Sequence, residues 1–395
     1  MSDLRVAGGI GKTTKLSPKG KFFDYNLLII VMLLLVFGLV MVYSTSSYNA
    51  YQSSGDSAKY FKSQLVCTLI GLPFLLFFTL FDYKVWDKFK GWIYVAALIS
   101  IVLVIPFGVE INGARRWIKI GSRTIQPVEY VKIALIILEA GYIKAIGKKL
   151  KTFWGSFIYF VLAGIPALMV MFITDNMSSA IILAGIAYIM YMIACSKPGW
   201  LVALTVVGAL LLIVFLAWFF KNSDHFTNFR FARLLAWKYP ERYASDTSYQ
   251  TVQSLYAIGS GGFFGKGLGQ SVQKLGFIPE AQNDMIFAIV CEELGIFGAI
   301  CLIVLFVLML WRFMMIASNA PDIFGSMLAI GVMAHIGLQV VLNIAVCTNV
   351  IPNTGVTLPF VSYGGTSVLF LMIEMGIVLN VSRHIQVPVS INSRG

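Results

Sequence analysis

The stretch DYNLLIIVMLLLVFGLVMVYST (residues 24–45) contains a long apolar run that begins near Leu27 and has no charged residue after Asp24. It is too long for the apolar region of a secretory signal peptide, and no small-residue cleavage site stands out behind it. A helix of about 20 apolar residues crosses the hydrocarbon core of a bilayer. We therefore interpret residues 24–45 as a membrane-spanning helix.

The composition extends this interpretation to the whole chain. Of its 395 residues, 58% are hydrophobic and 12% are charged, whereas soluble domains carry about 25% charged residues. The apolar runs predict an all-α polytopic membrane protein with about ten transmembrane helices. The expected spans lie at about 24–45, 63–81, 91–107, 127–146, 155–173, 176–195, 199–220, 285–310, 322–347 and 362–382.

Basic residues indicate which side of the membrane each loop faces. Lysines cluster before the first span and in two short loops on the same side, which is cytoplasmic by the positive-inside rule and holds both termini. These lysines are Lys12, Lys15, Lys19, Lys21, Lys84, Lys88, Lys90, Lys144, Lys148, Lys149 and Lys151. The sequence predicts a cytoplasmic basic tail (1–21), a transmembrane domain (22–384) with a large outer loop (221–283), and a cytoplasmic tail (385–395).

The net charge of +12 does not indicate a nucleic-acid partner, because the basic residues are dispersed among loops between spans. Anionic lipid head groups are the simpler partner. The five cysteines show no CxxC spacing and no disulfide framework, so we interpret them as small core residues. The three histidines are too widely separated to indicate a metal cluster.

One carboxylate stands at the junction between the long outer loop and the eighth predicted span, in the segment PEAQNDMIFA (279–288). Asp284 is either the N-cap or first-turn acid of that helix, or a functional group. In the second case it is a general base, or a carboxylate that holds a metal ion. Glu292 and Glu293 follow about two turns deeper, and an acid inside a span is a functional hypothesis by default.

The outer loop 108–126 is unusually basic, with Arg115, Arg116, Lys119 and Arg123 beside Trp117. Short external loops are normally poor in Lys and Arg. Arginine binds phosphate oxygens bidentately, so this cluster predicts binding of a lipid diphosphate. The alternative is a solvated basic loop.

Glu129 and Lys132 lie three residues apart in the first turns of the fourth predicted span, where they share one helix face. Pairing explains how a span tolerates both charges. The pair is either structural, or it positions the active-site loop or contacts a pyrophosphate.

Two further outer segments are broken by glycine or proline. GSGGFFGKGLG (259–269) contains Lys266, but it lacks the spacing of a phosphate-binding Walker loop. Its glycines permit either a plain turn or a close approach to a ligand. A second broken segment, 352–366, opens the last span, and we expect loops 108–126, 221–283 and 348–361 to converge on an outward-facing cavity.

In this order, four blocks of the chain resemble the SEDS family of cell-shape, division and sporulation proteins related to FtsW, RodA and SpoVE. The resemblance runs from the first span to the last, and its wording is more similar to the FtsW and SpoVE branch. The blocks are NGARRWIKIG (112–121) with QPVEYVK (126–132), YQTVQSLYAIGSGGFFGKGLGQSVQKLGFIPEAQND (249–284), FAIVCEELGIFG (287–298) and PNTGVTLPFVSYGGTS (352–367).

The resemblance implies a peptidoglycan glycosyltransferase that polymerises lipid II on the outer face of the bacterial cytoplasmic membrane, in septal or sporulation wall synthesis. It also implies a class B penicillin-binding transpeptidase as partner, within the divisome or a related wall-synthesis complex. The family's essential aspartate corresponds to Asp284, its Glu–Lys pair to Glu129 and Lys132, and its two arginines to Arg115 and Arg116.

The chain departs from the family pattern at two places. Gln282 and Asn283 precede Asp284 where the family often has His-Thr, so no histidine role is carried over. Asn176, in the segment Asp175–Ser179, stands where the family usually has an aspartate, so no catalytic role is expected there.

The resulting hypothesis makes Asp284 the group that takes the proton of the acceptor's GlcNAc 4-hydroxyl, or that holds Mg²⁺ or Mn²⁺ against the diphosphate. Arg115, Arg116, Lys119 and Lys266 are expected to bind the lipid diphosphate and stabilise its charge. The sequence does not decide whether a cation is needed. The rival hypotheses are a lipid II flippase and a non-catalytic scaffold for a transpeptidase. The strong constellations are external and the cytoplasmic loops are short and basic, which favours the polymerase.

Overall fold

The computed structural model describes residues 19–111, 113–121, 123–195, 198–221, 229–243 and 248–388. Helices form most of it, and ten of them coincide with the ten predicted spans. These helices are α1 (Tyr25–Ser54), α2 (Lys59–Leu80), α3 (Lys84–Val102), α5 (Pro127–Ile146), α6 (Phe153–Ile173), α7 (Met177–Ala194), α8 (Gly199–Lys221), α11 (Ile286–Asn319), α12 (Ile323–Cys347) and α13 (Ser367–Arg383).

The remaining elements are short. The helices are α4 (Val104–Phe107), α9 (Phe229–Lys238), α10 (Tyr249–Ser260) and two 3-10 helices at Gly147–Lys151 and Pro240–Tyr243. The strands are β1 (Lys19–Lys21), β2 (Gly108–Ile111), β3 (Ala114–Ile120), β4 (Arg123–Ile125) and β5 (Gln386–Pro388).

Eight helices of the described chain are long and apolar enough to cross a membrane, which supports a polytopic membrane protein. The other two predicted spans correspond to α5 and α13. Helix α5 carries the four charged residues Glu129, Lys132, Glu139 and Lys144, and α13 has only 17 residues. Both are buried by neighbouring helices, so internal partners rather than apolar composition stabilise them.

The core lies where α12 packs against α5, α7 and α11, and where α13 packs against α2. The helices approach closely at Gly331 of α12, where a Cβ atom would lie 2.5 Å from Ile136 of α5 and 3.0 Å from Met190 of α7. Helix α8, by contrast, exposes nearly all of its apolar side chains. That surface suits a helix surrounded by lipid.

The described residues also form two small antiparallel sheets. Strands β1 and β5 pair the two chain ends, with Lys19 opposite Pro388 and Lys21 opposite Gln386. The predicted tails 1–21 and 385–395 are therefore partly ordered, and their outer residues, 1–18 and 389–395, lie outside the described residues. In the basic loop, β2, β3 and β4 form a three-stranded meander.

The predicted outer loop 221–283 contains α9, a 3-10 helix and α10 among its described residues. Its helices are fixed to the C-terminal end of α12. Trp237 Nε1 donates to the Asn349 carbonyl oxygen at 3.0 Å, and Ser254 Oγ donates to the Cys347 carbonyl oxygen at 2.9 Å. This docking brings α10 beside the start of α11.

Candidate active site

Asp284 is half-buried and lies two residues before α11. The cap position belongs to Met285, and no acid lies in the first turn of the helix. The interpretation of Asp284 as an N-cap or first-turn acid is therefore wrong. The carboxylate projects from a short turn outside the span.

Neutral amide groups donate hydrogen bonds to this residue. Gln250 Nε2 of α10 donates to Asp284 Oδ1 at 3.2 Å, while Asn343 Nδ2 of α12 donates to the Asp284 carbonyl oxygen at 2.7 Å. A Cβ atom at Gly355 would lie 3.9 Å from Asp284 Oδ2. Three separate elements, α10, α12 and the segment before α13, thus fix the residue.

The environment makes Asp284 a weaker acid than usual. Burial, reinforced by the nearby charge of Glu280, raises the pKa of the Asp284 carboxyl to about 6, against hydrogen bonds from Gln250 and the local backbone that lower it. None of the ion pairs among the described residues includes Asp284. A half-buried carboxylate with a pKa near 6 and no cationic partner is suited to accept a proton near neutral pH.

Arg116 connects the basic loop to this region. Its Nε donates to the Thr174 carbonyl oxygen at 3.1 Å and its Nη2 to the Asp175 carbonyl oxygen at 2.6 Å, in the turn between α6 and α7. At the start of α7, Ser178 Oγ donates to the carbonyl oxygen of Thr354, the residue before Gly355. The region between α6 and α7 thus joins the basic loop 108–126 to the segment 348–361, and loop 221–283 reaches that segment separately through the hydrogen bond between Asn353 Nδ2 and Gln250 Oε1.

The other basic residues of this loop differ in their exposure and in their contacts with the helices. Arg115 and Lys119 are exposed, and Arg115 Nε lies 4.0 Å from Glu110 Oε2. Arg123 Nη1 instead donates to Cys67 Sγ at 2.5 Å on α2. Arg115 and Lys119 are therefore available to an external anion, while Arg123 holds the meander against the bundle.

Asn176 has a structural role at the second departure from the family pattern. Its side chain caps α7 by accepting from the Ser179 backbone N–H at 3.1 Å. Asparagine and aspartate serve equally well at this position.

Glu129 and Lys132 form a buried ion pair in the first turns of α5, with Lys132 Nζ 2.8 Å from Glu129 Oε1. Only 2% of the Lys132 side chain and 9% of the Glu129 side chain are exposed. Charges so deeply buried hold each other in place and have little access to a substrate.

Lys266 is engaged by a buried acid rather than placed beside Asp284. Its Nζ lies 2.7 Å from Glu292 Oε1 and 2.9 Å from Ser260 Oγ. Glu292 also accepts from Ser271 Oγ at 2.5 Å and from the Val272 backbone N–H at 3.1 Å. Lys266, which the sequence predicts to bind the diphosphate, is thus already neutralised by a carboxylate of α11.

The neighbouring Glu293 has a second lysine partner that the sequence reasoning missed. Lys274 Nζ lies 2.8 Å from Glu293 Oε1 and 3.1 Å from Ser44 Oγ of α1. Ser44 Oγ also donates to Glu293 at 2.8 Å, and the Glu293 side chain is fully buried. This cluster ties α1, α11 and the connecting loop together.

Helix α11 is interrupted at Gly295, whose φ of 67° and ψ of −169° suit glycine alone. The glycine-rich segment 259–269 fills the break, where a Cβ atom at Gly295 would lie 2.4 Å from Gly265 N. The joining backbone hydrogen bonds run from Lys266 N to Glu292 O, Gly267 N to Glu293 O, Ile296 N to Gly262 O and Phe297 N to Phe263 O, at 2.9, 2.9, 3.0 and 3.1 Å. The loop thereby satisfies backbone groups that a broken span leaves open.

Metal ligands are scarce in the described part of the chain, where no group of three or more His, Cys, Asp or Glu residues is placed to hold an ion. Mg²⁺ commonly binds through one or two carboxylates together with substrate phosphates. The alternative that Asp284 holds a cation therefore stays a prediction.

Known proteins match this chain over the whole range of the helical bundle. The family model described as FtsW/RodA/SpoVE cell cycle protein matches residues 25–387. The chain belongs to this family. The family predicted from the four sequence blocks is therefore confirmed.

Individual relatives cover nearly the whole chain. Stage V sporulation protein E of Bacillus subtilis is 36% identical over 94% of this chain and 99% of its own length. The probable peptidoglycan glycosyltransferase FtsW of the same organism is 36% identical over 93% of this chain and 92% of its own.

Solved structures share the fold. One match is a chain from a structure that describes the coordination of polymerisation and crosslinking by a peptidoglycan synthase complex. It has a TM-score of 0.76 and 23% identity, over 91% of this chain and 98% of that one. The rod shape determining protein RodA of Thermus thermophilus matches with a TM-score of 0.66 and 23% identity, over 91% and 97%.

Proposed function

We propose that this protein is a peptidoglycan glycosyltransferase that polymerises lipid II, with Asp284 as the general base. The observation that carries the proposal is the half-buried Asp284 carboxylate, which has a raised pKa and no cationic partner among the described residues. Relatives of 34–36% identity named probable peptidoglycan glycosyltransferase FtsW support this activity, and the sporulation relative supports a role in septal or sporulation wall synthesis.

In this mechanism, the growing glycan is the donor and an incoming lipid II is the acceptor. Asp284 takes the proton of the acceptor's GlcNAc 4-hydroxyl while the hydroxyl oxygen attacks the donor's anomeric carbon. The bond to the undecaprenyl diphosphate breaks in the same displacement, so an α-linked donor gives a β linkage. Arg115, Arg116 and Lys119 stabilise the departing diphosphate. A divalent cation, when bound, would neutralise the same diphosphate charge.

We further propose ten spans, with both termini in the cytoplasm and Asp284 on the outer side. The positions of the lysine-rich loops support this orientation. A class B penicillin-binding transpeptidase is the proposed partner, because the structural match with the TM-score of 0.76 comes from a complex that couples polymerisation to crosslinking.

The test is glycan-chain formation from purified lipid II. The full-length protein in detergent, combined with its cognate transpeptidase, should form polymer, whereas Asp284→Asn should form none while retaining its melting temperature. Equal polymer from both proteins would remove Asp284 from the chemistry. An intact complex that forms no polymer would favour transport or scaffolding.

A further inference from the structure

Gln250 is the side chain that donates to the Asp284 carboxylate, and its amide is held at both ends. Its Nε2 donates to Asp284 Oδ1 at 3.2 Å and also to the Pro279 carbonyl oxygen at 3.1 Å. Its Oε1 accepts from Asn353 Nδ2 at 2.9 Å. Both the nitrogen and the oxygen of this amide are therefore held by neighbouring groups.

Two backbone groups determine which way the amides point. The Gly355 backbone N–H donates to Asn353 Oδ1 at 3.1 Å, and a backbone N–H can only donate. Asn353 must therefore present its Nδ2 to Gln250. The Pro279 carbonyl can only accept, so it requires Nε2 at the other end of the Gln250 amide.

The result is a chain of hydrogen bonds with one direction. It runs from the Gly355 N–H through Asn353 and Gln250 to Asp284 Oδ1. Because each amide is polarised by the donor behind it, the last N–H is aimed at the carboxylate and favours its ionised form. The other titratable groups that face Asp284 are Glu280, in the same turn, and the thiol of Cys347 at the end of α12.

We propose that Gln250, oriented by Asn353 and the Gly355 N–H, is a positioning residue that holds Asp284 Oδ1 and stabilises the ionised carboxylate. This inference rests on the proposed function of Asp284 as a base. It also gives the segment 352–355 a role, since a shift of that segment would release the amide that faces the carboxylate.

The first experiment is the pH profile of lipid II polymerisation by the full-length protein with its transpeptidase. Gln250→Ala should move the acidic limb upward by about half to one pH unit, because a lost hydrogen bond to the charged form raises the pKa of Asp284. At pH 5 the turnover rate should fall about three- to tenfold with little change in KM, whereas at pH 7 it should fall by less than about twofold and at pH 8.5 it should match wild type. Asn353→Ala should shift the limb in the same direction by less.

The matched control is Gln253→Ala, one turn further along α10. Gln253 is also partly buried, and in the described structure it makes no hydrogen bond to Asp284. Its profile should coincide with that of wild type. A Gln250→Ala rate that falls by one factor at every pH, with an unmoved limb, would overturn the inference.

A second measurement separates this inference from the proposed function. Infrared titration of the carboxyl stretch, with the Asp284→Asn spectrum subtracted, reads the pKa of Asp284 without any substrate. Gln250→Ala should raise that pKa, whether or not the preparation polymerises lipid II, and an unchanged pKa contradicts the positioning role. Polymer formed by Asp284→Asn would instead contradict the proposed base.

Discussion

Asp284 and Glu293 are carboxylates only nine residues apart in the chain, yet their surroundings are opposite. Glu293 is fully buried and neutralised by Lys274, and it accepts a further hydrogen bond from the Ser44 hydroxyl. Asp284 is half-buried and receives only amide and backbone hydrogen bonds. The first arrangement fixes the charge, whereas the second leaves the carboxylate free to gain and lose a proton.

The comparison separates two uses of an acid near a membrane. A carboxylate paired with a lysine in a dry site contributes order, because removing either partner leaves a buried charge alone. A partly buried carboxylate without a cationic partner has its pKa raised towards the working pH, because burial disfavours the charged form. Glu292 also pairs with a lysine, but Lys266 is partly exposed, so this pair is less completely buried than the pair of Lys274 and Glu293.

The largest expected difference is between activity and stability at Asp284. Asp284→Asn should lower polymerisation about 10²- to 10⁴-fold, the usual contribution of a general base. Its melting temperature in detergent should stay within a few degrees of wild type, because amide hydrogen bonds tolerate an amide in place of the acid. An Asp284→Asn variant that is inactive because it unfolds would show that Asp284, like Glu293, has a structural role.

The opposite result is expected at Lys274. Lys274→Met leaves the buried Glu293 charge without its partner, which typically costs about 3–5 kcal/mol in free energy of unfolding. The double variant Lys274→Met/Glu293→Leu should recover most of that stability, because neither buried charge remains. Chemical denaturation in detergent measures both. A double variant no more stable than Lys274→Met would show that the pair does more than neutralise charge.

The pH dependence of the wild-type enzyme sharpens the same contrast. Because the pKa of Asp284 is raised to about 6, the base form dominates above that pH and is lost as pH falls. The turnover rate should be half-maximal near pH 6 and about tenfold below maximum at pH 5. Initial rates between pH 5 and 9 test this, and a flat profile down to pH 5 would rule out Asp284 as the titrating base.

The smallest effect is expected at Lys266. Its side chain is 34% exposed, and Glu292 keeps its hydrogen bonds from Ser271 and Val272 when the lysine is removed. Lys266→Met should therefore destabilise the fold by about 1 kcal/mol and change KM for lipid II little. A large rise in KM with unchanged stability would restore the predicted role of Lys266 in diphosphate binding.

The sequence predicted much of the fold because membrane helices depend on local composition. All ten predicted segments are helical, although α5 and α13 depend on partners that hydropathy does not reveal. The sequence singles out Asp284 because an acid at a loop–span junction is conspicuous, and its catalytic role stays a prediction. Lys266 was assigned to phosphate because phosphate binding and ion pairing use the same residue type, and only the fold brings Glu292 to it.

Other site residues had no local signal. The Lys274–Glu293 contact joins a loop of no regular period to a helix, so spacing does not indicate it. Gln250 and Asn353 are ordinary polar residues more than a hundred positions apart, and their contact depends on how α10 docks. Asn343 carried a signal that the sequence analysis missed, since an amide inside a predicted span marks a hydrogen bond to be satisfied.

The pairing of β1 with β5 bears on the number of times the chain crosses the membrane. Hydrogen-bonded strands must share one aqueous compartment, so the chain between them must traverse the bilayer an even number of times. Eight helices qualify by composition, and α5 and α13 are the two in question. We therefore expect an even number of crossings, in which α5 and α13 either both cross or both stay on one side, and a topology reporter placed between them decides for the pair.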